Sequence, residues 1–378
     1  MKKKISIVTA APYVQNYGSI CLTYATQEIF KKYGYDAEIL NYSRKSFQEA
    51  NDFKDIIESL HKRDASRKYP FLIRVALAFF LYPSIKKMSN MTSVFFDRYI
   101  KVSRRLYTNE EALIKNPPEA DIYCTGGDQM WNEQCNFHKT LREFYLSFVP
   151  HNKPKISFST SIGKKAFDEW ELPEVLPLLN GYDIISLREK ETVGYFNELG
   201  VKNVYNLIDP TLLLDREKWD ELASHRIIKG SYILMYEIAR TGELLSYAKR
   251  LAKAKGKRLV RINRFWFHNL KYGDAVYCPS PEQWLSLFKN ADCIVTNSFH
   301  GVVFSIVFER QFIFVPGANP MRLINMMSSL GIEGRYCGNI DKVCRIYENK
   351  IDYSIVQRKL REEREKLDRF FNQIETLS

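Results

Sequence analysis

Short apolar runs alternate with segments of helical spacing along the chain, and that alternation predicts parallel strands joined by helical crossovers. A strand is expected at Ile5–Ala10, a helix over Ser19–Tyr33 closed by Gly34, and a second strand at Ala37–Tyr42, together one βαβ unit. From Ser43 to about Asn116 the chain is basic and poorly patterned. The pattern resumes with strands at Asp121–Thr125, Lys155–Ser159 and Asp183–Leu187, a helix from Glu189 to Leu199 ending at Gly200, and a strand at Val204–Ile208.

The stretch DPTLLLDREKW, beginning at Asp209, interrupts the pattern and marks the start of a second domain. A strand at Tyr232–Ile238, a helix over Gly242–Ala254 and a strand at Arg258–Ile262 follow. In SPEQW, Ser280 is a cap, Pro281 a first helical residue and Glu282 a first-turn acid, so a helix starts there. Then come a buried strand at Cys293–Thr296, a buried helix over Gly301–Phe308 and a strand at Phe312–Val315. Val356, Leu360, Leu367, Phe370, Ile374 and Leu377 recur at helical intervals and close the chain with an amphipathic helix. The expected organisation is α/β, with domains over 1–208 and 209–350 and a last helix over 351–378.

Composition fits this division: 378 residues at 45% apolar content supply material for two cores. The run Val75–Tyr82 stops at Pro83, well short of the roughly 20 residues that span a bilayer. MKKKISIVTA has the lysines of a signal peptide but no apolar core to follow them, so a cytoplasmic protein is expected. Seven cysteines form no CxxC pair, which predicts free thiols and no structural metal. The net charge of +12 points to an anionic partner. Its lysines and arginines are scattered and accompany no nucleic-acid motif, so nucleic acid is not expected. The segment from Arg67 to Lys87 has basic ends and an apolar, aromatic centre, a pattern an interfacial helix can show, although a core or domain-edge helix is the first reading.

Two stretches echo each other. EADIYCTGGDQMWN and NADCIVTNSFHGVV both run from a strand into a small polar turn, the form of a loop at the carboxyl end of a parallel strand. Ligands bind at such ends in open α/β sheets, and a helix N-terminus there favours an anion. Two such domains facing each other would leave a cleft. His300 and Gly301 open the second helix, where an imidazole can meet a ligand although both flanks are buried. Local readings stand beside this one. His300 can cap its helix, Gly126 and Gly127 can mark a tight turn, Arg188 can pair with Glu191, and Asp128 can cap a turn. GGDQ has neither the GxGxxG nor the Walker spacing.

Taken in order, the motifs resemble those of the polysaccharide pyruvyltransferase family. Asn16, Tyr17, Gly18 and Ser19 stand where that family has an NYGA-type motif, and GGDQMWN from Gly126 to Asn132 resembles its GSDQVWN type. ISFSTSIG, SLREKET with Arg188, DPTLLLD and TNSFHG follow in order, so the likeness runs from Ile5 to about Arg335. The chain departs from the pattern at Gly127, where the family usually has serine, and in the helix SICLTYATQ.

The resemblance implies two Rossmann-like domains facing a cleft, as in GT-B glycosyltransferases. It also implies transfer of pyruvate from phosphoenolpyruvate to a sugar hydroxyl pair of a bacterial surface polysaccharide, such as capsule or exopolysaccharide, or of its lipid-linked precursor. By motif, His300 and Arg188 match donor-site residues, Asp128 is a candidate for hydroxyl activation, and Arg322 stands where relatives have a cation. Asn16, Gly18, Gly126, Gly127, Trp131, Asn297, Ser298 and Gly301 complete the expected substrate-binding set. The scheme requires no metal or organic cofactor. His300 serves as proton donor or phosphate ligand, since an imidazole titrates near neutrality. The acceptor would be met at the inner face of an anionic membrane, with the Arg67–Lys87 segment as surface contact. A nucleotide-sugar glycosyltransferase is the alternative on the same fold, and a sugar-binding protein without turnover is a third.

Overall fold

The computed structural model describes residues 2–10, 15–43, 50, 52–62, 69–136, 138–238, 242–268, 273–317 and 320–377. They form two compact units, one of Met1–Ala50, Thr92–Leu214 and Glu363–Ser378, the other of Asn51–Met91 and Asp215–Glu362. Residues 51–91 therefore group with the second unit, whereas the sequence pattern leaves them in the first. A weakly patterned insert gives no sign of which sheet it covers.

In the first unit, β1 (Lys4–Val8), β2 (Asp36–Ile39), β3 (Ile122–Thr125) and β4 (Lys155–Ser157) form a parallel sheet in the order β2-β1-β3-β4. The Ser157 and Thr160 amides donate to the Ile184 and Ser186 carbonyls, carrying the sheet on to the parallel pair β5 (Ile185–Leu187) and β6 (Val204–Asn206). Strand order reverses between β1 and β3, the kind of point at which open α/β sheets bind ligands.

The Tyr17–Lys32 helix that follows β1 is buried over most of its length. The last turns of the Tyr353–Glu375 helix lie against it, with the Phe371 ring stacked on Tyr33 at 3.8 Å and set edge-on to Phe30 at 5.1 Å. Trp131, Phe144, Tyr145 and Phe196 fill a separate core in this unit.

In the second unit, β7 (Tyr232–Tyr236), β8 (Arg258–Asn263), β9 (Asp274–Tyr277), β10 (Cys293–Thr296) and β11 (Gln311–Phe314) are all parallel, in the order β11-β10-β7-β8-β9. The reversal here falls between β7 and β10. The Pro281–Asn290 helix starts with the expected Ser280 cap, reinforced by Gln283 reaching back to the cap backbone. Trp219 and Trp284 meet Phe304 edge-on at 4.9 and 5.0 Å beneath the sheet.

The poorly patterned insert contains real elements, among them the helices Phe53–Lys62 and Phe71–Tyr99. No helix among the described residues is long and apolar enough to cross a membrane. Arg67 and Lys68, from the expected surface segment, lie outside the described residues. All seven cysteines are free.

Candidate active site

In the first unit the expected residues gather at the carboxyl edge of the sheet. Asn16 caps the Tyr17–Lys32 helix, its side chain accepting the Gly18 amide at 2.9 Å. Three residues after Asn16, the Ser19 hydroxyl reaches across the strand reversal and donates to Asp128 Oδ2 at 2.9 Å.

Asp128 holds a φ of 128°, in the region that favours glycine, and its Oδ1 accepts the Gln129 amide at 2.8 Å. A non-glycine residue in that conformation is held by its surroundings, and such positions cluster at functional sites. Gly126 donates to the Val8 carbonyl at 2.7 Å, and a Cβ on it would stand 3.1 Å from the Ile7 side chain. A Cβ on Gly127 would lie 3.1 Å from the Pro210 ring. That contact gives a steric reason for glycine where the family motif has serine.

The loop after β3 is tied to the next two strands. The Ser161 amide donates to the Asp128 carbonyl and the Arg188 amide to the Thr160 carbonyl, each at 3.0 Å, so Asp128 and Arg188 share one edge of the sheet. Arg188 is buried and its guanidinium lies 3.1 Å from Asp209 Oδ2. Asp209 is itself 1% exposed, and its other oxygen caps the Pro210–Leu213 turn through the Thr211 amide at 3.0 Å. Asp209 from DPTLLLD is thus a partner of Arg188, a contact across 21 residues that local periodicity cannot signal.

Trp131 has a different role from the one expected of it. It is 1% exposed, its indole N–H donates to the Phe144 carbonyl at 2.9 Å and its ring stacks on Tyr145. The tryptophan anchors the loop from below and offers no face to a ligand.

Beside the same loop, Lys164 is bonded to Glu133 and Asp168, each at 2.9 Å, and to Glu171. These three acids are the one group among the described residues close enough to hold a metal ion, and the lysine ammonium already compensates them. Burial works to lower the Lys164 pKa, but the hydrogen bonds from Glu171, Asp168 and Glu133 outweigh it and hold the group above the ordinary lysine value.

In the second unit the reversal point is closed by Asn297, whose Oδ1 accepts the Ile238 amide at 3.2 Å, linking the loops after β10 and β7. Ser298 caps the Phe299–Val307 helix through the Gly301 amide at 3.2 Å. The close approach expected at Gly301 is that of Thr296: a Cβ on the glycine would meet Thr296 Oγ1 at 2.3 Å. That hydroxyl is held by donating to the Tyr236 carbonyl at 2.7 Å.

His300 occupies the first turn, 8% exposed, edge-on to the Phe299 ring at 5.2 Å. Arg322 lies over the same ring at 4.5 Å. Phe299, which sequence reasoning passed over, is therefore the surface that gathers imidazole and guanidinium. Arg188 and Asp128 belong to the first unit, and His300, Arg322, Asn297 and Ser298 to the second.

Two α/β units built on parallel sheets, each with polar groups at its strand reversal, are the architecture of the GT-B fold. Solved structures agree. UDP-N-acetylglucosamine 2-epimerase from Rickettsia bellii is 13% identical with a TM-score of 0.56, the match covering 100% of this chain and 96% of that one. The enzyme of that name from Methanocaldococcus jannaschii is 12% identical with a TM-score of 0.55, covering 92% and 93%. A putative one from Listeria monocytogenes is 10% identical with a TM-score of 0.51, covering 94% and 90%. Identities this low speak to fold alone. No curated protein matches the sequence. The chain belongs to the polysaccharide pyruvyl transferase family, whose model matches residues 16–319. Of the expected site residues, all except Arg322 fall within the matched range.

Proposed function

We propose that the protein transfers pyruvate from phosphoenolpyruvate to two hydroxyls of one sugar in a surface polysaccharide or its lipid-linked precursor, forming a cyclic ketal. The observation that carries this reading is the head of the Phe299–Val307 helix, where an imidazole and a guanidinium share one aromatic ring beside a strand reversal. Membership of the pyruvyl transferase family supports it.

Phosphoenolpyruvate carries a phosphate and a carboxylate, and binding it calls for cations and oriented N–H groups. Arg322 and the helix head answer to the phosphate, and Arg188, its guanidinium fixed by Asp209, is a donor-site candidate by family motif. A proton from His300 adds to the methylene carbon and leaves an oxocarbenium-like centre. One sugar hydroxyl attacks that centre, the C–O bond to phosphate breaks, and the second hydroxyl closes the ring. Of the two hydroxyl protons lost, one replaces the proton that became part of the methyl group and the other leaves with phosphate. Asp128 takes a hydroxyl proton in this scheme.

The test is phosphate release from phosphoenolpyruvate across a panel of sugar and oligosaccharide acceptors, with the ketal identified by mass and NMR. Phosphate release coupled to a ketal product is expected. Consumption of a sugar nucleotide, with no acceptor supporting phosphate release, would replace this reading with a glycosyltransferase.

A further inference from the structure

The Phe71–Tyr99 helix is apolar on two opposite faces in its first half. One face, with Ala78, Ile85 and Met88, is buried in the second unit. The other carries Leu72 at 78% exposure, Phe79 at 69% and Phe80 at 56%, with Ala76 and Pro83 completing the stripe at helical spacing. Phe71, at the helix start, is 58% exposed. Trp266 widens the surface: its ring stacks on Phe80, and its indole N–H is held by the Phe80 carbonyl at 2.9 Å.

One turn further along the same face stand Lys86 and Lys87, both exposed. Lys87 is tied to the Tyr277 carbonyl at 3.1 Å and lies over that ring. No acidic residue occurs between Asp64 and Asp97, an interval that holds Arg67, Lys68, Arg74, Lys86 and Lys87.

We infer that this face is a contact for an anionic lipid surface, with the aromatic and aliphatic stripe entering the headgroup region and the lysines meeting the lipid charge. Stable peripheral attachment takes two signals, apolar insertion and basic charge, and both lie on one face of this helix. A self-association surface has no use for a one-sided excess of positive charge, since a second copy brings the same charge. Deep insertion is not required: the helix stays seated through Ser84, which lies 3.0 Å from the Tyr277 hydroxyl and accepts the Trp266 amide at 3.1 Å.

The test is flotation of the full chain with vesicles of phosphatidylcholine alone and of phosphatidylcholine mixed with phosphatidylglycerol. It uses neither phosphoenolpyruvate nor sugar, so its outcome is independent of the proposed reaction. Binding to the mixed vesicles is expected to exceed binding to the neutral ones by about tenfold, and Leu72→Ser with Phe79→Ser to reduce it by about tenfold or more. Lys86→Gln should weaken it by about fivefold. These side chains are exposed, so the variants should keep the parent circular dichroism and melting temperature. Equal binding to both vesicle types, or unchanged binding by the double variant, overturns the inference. So does a parent that ignores vesicles but forms a dimer that the double variant abolishes, which would assign the face to a second copy.

Discussion

Ser19 donates to the Asp128 carboxylate at 2.9 Å across the strand reversal of the first unit, joining the helix after β1 to the loop after β3. The bond holds an aspartate whose backbone sits at a φ of 128°. In the proposed reaction this carboxylate receives a hydroxyl proton. Asp128→Asn keeps the shape and removes the basicity, and should lower turnover about 100-fold or more at nearly unchanged melting temperature. Unchanged turnover would reduce Asp128 to a turn residue.

Arg188 and Asp209 form a buried pair, and removing one partner strands the other. Arg188→Ala should cost about 3–5 kcal/mol of stability by leaving the Asp209 carboxylate uncompensated. Arg188→Lys keeps the charge and should stay folded, yet lose much of its affinity for phosphoenolpyruvate, because a point charge does not reproduce a planar fork. Denaturant titration and calorimetric binding read the two effects separately.

Gly301→Ala should destabilise by about 1–3 kcal/mol, because the added carbon meets Thr296, whose hydroxyl is held on the Tyr236 carbonyl and cannot turn away. Thr296→Ala in the same chain should recover part of the loss. A neutral Gly301→Ala would mean that the Thr296 contact is not tight.

Lys164 is the sole cation bonded to Glu133, Asp168 and Glu171 among the described residues. Lys164→Met should cost about 3–5 kcal/mol, since Glu171 and Glu133 remain buried and charged. Because the folded-state pKa of Lys164 is raised, its contribution is complete below the unfolded lysine value near pH ~10.4 and is lost as pH rises through the folded value. The gap in unfolding free energy between the parent and the variant should therefore hold through neutral pH and narrow only in strong alkali.

Much of the fold is legible in sequence where burial is complete and the run short. The apolar residues of Cys293–Thr296 are flanked by polar turns, and the strand lies there as expected. β9 is missed because Asp274–Tyr277 is a half-exposed edge strand without a clean alternation. The first half of the Phe71–Tyr99 helix is legible as a helix, but apolar residues on both faces and Pro83 blur the period, so its run on to Tyr99 is not. At the site, the loop after β10 is legible because Ser298 and Gly301 have local capping and steric jobs, whereas Gly126 and Gly127 make room for Ile7 and Pro210, distant in sequence. Asp209 as the Arg188 partner, Ser19 as the Asp128 donor and Phe299 as the shared ring are tertiary facts without a local signal.

The most direct measurement is the melting temperature of the full chain with phosphoenolpyruvate and, separately, with UDP-N-acetylglucosamine. A ligand that binds only the folded state raises that temperature in proportion to its occupancy. The proposed reaction predicts dose-dependent stabilisation by phosphoenolpyruvate, weakened in both Arg188→Lys and His300→Ala, and none by the sugar nucleotide. Stabilisation by the sugar nucleotide alone, or a phosphoenolpyruvate response indifferent to both substitutions, would contradict it.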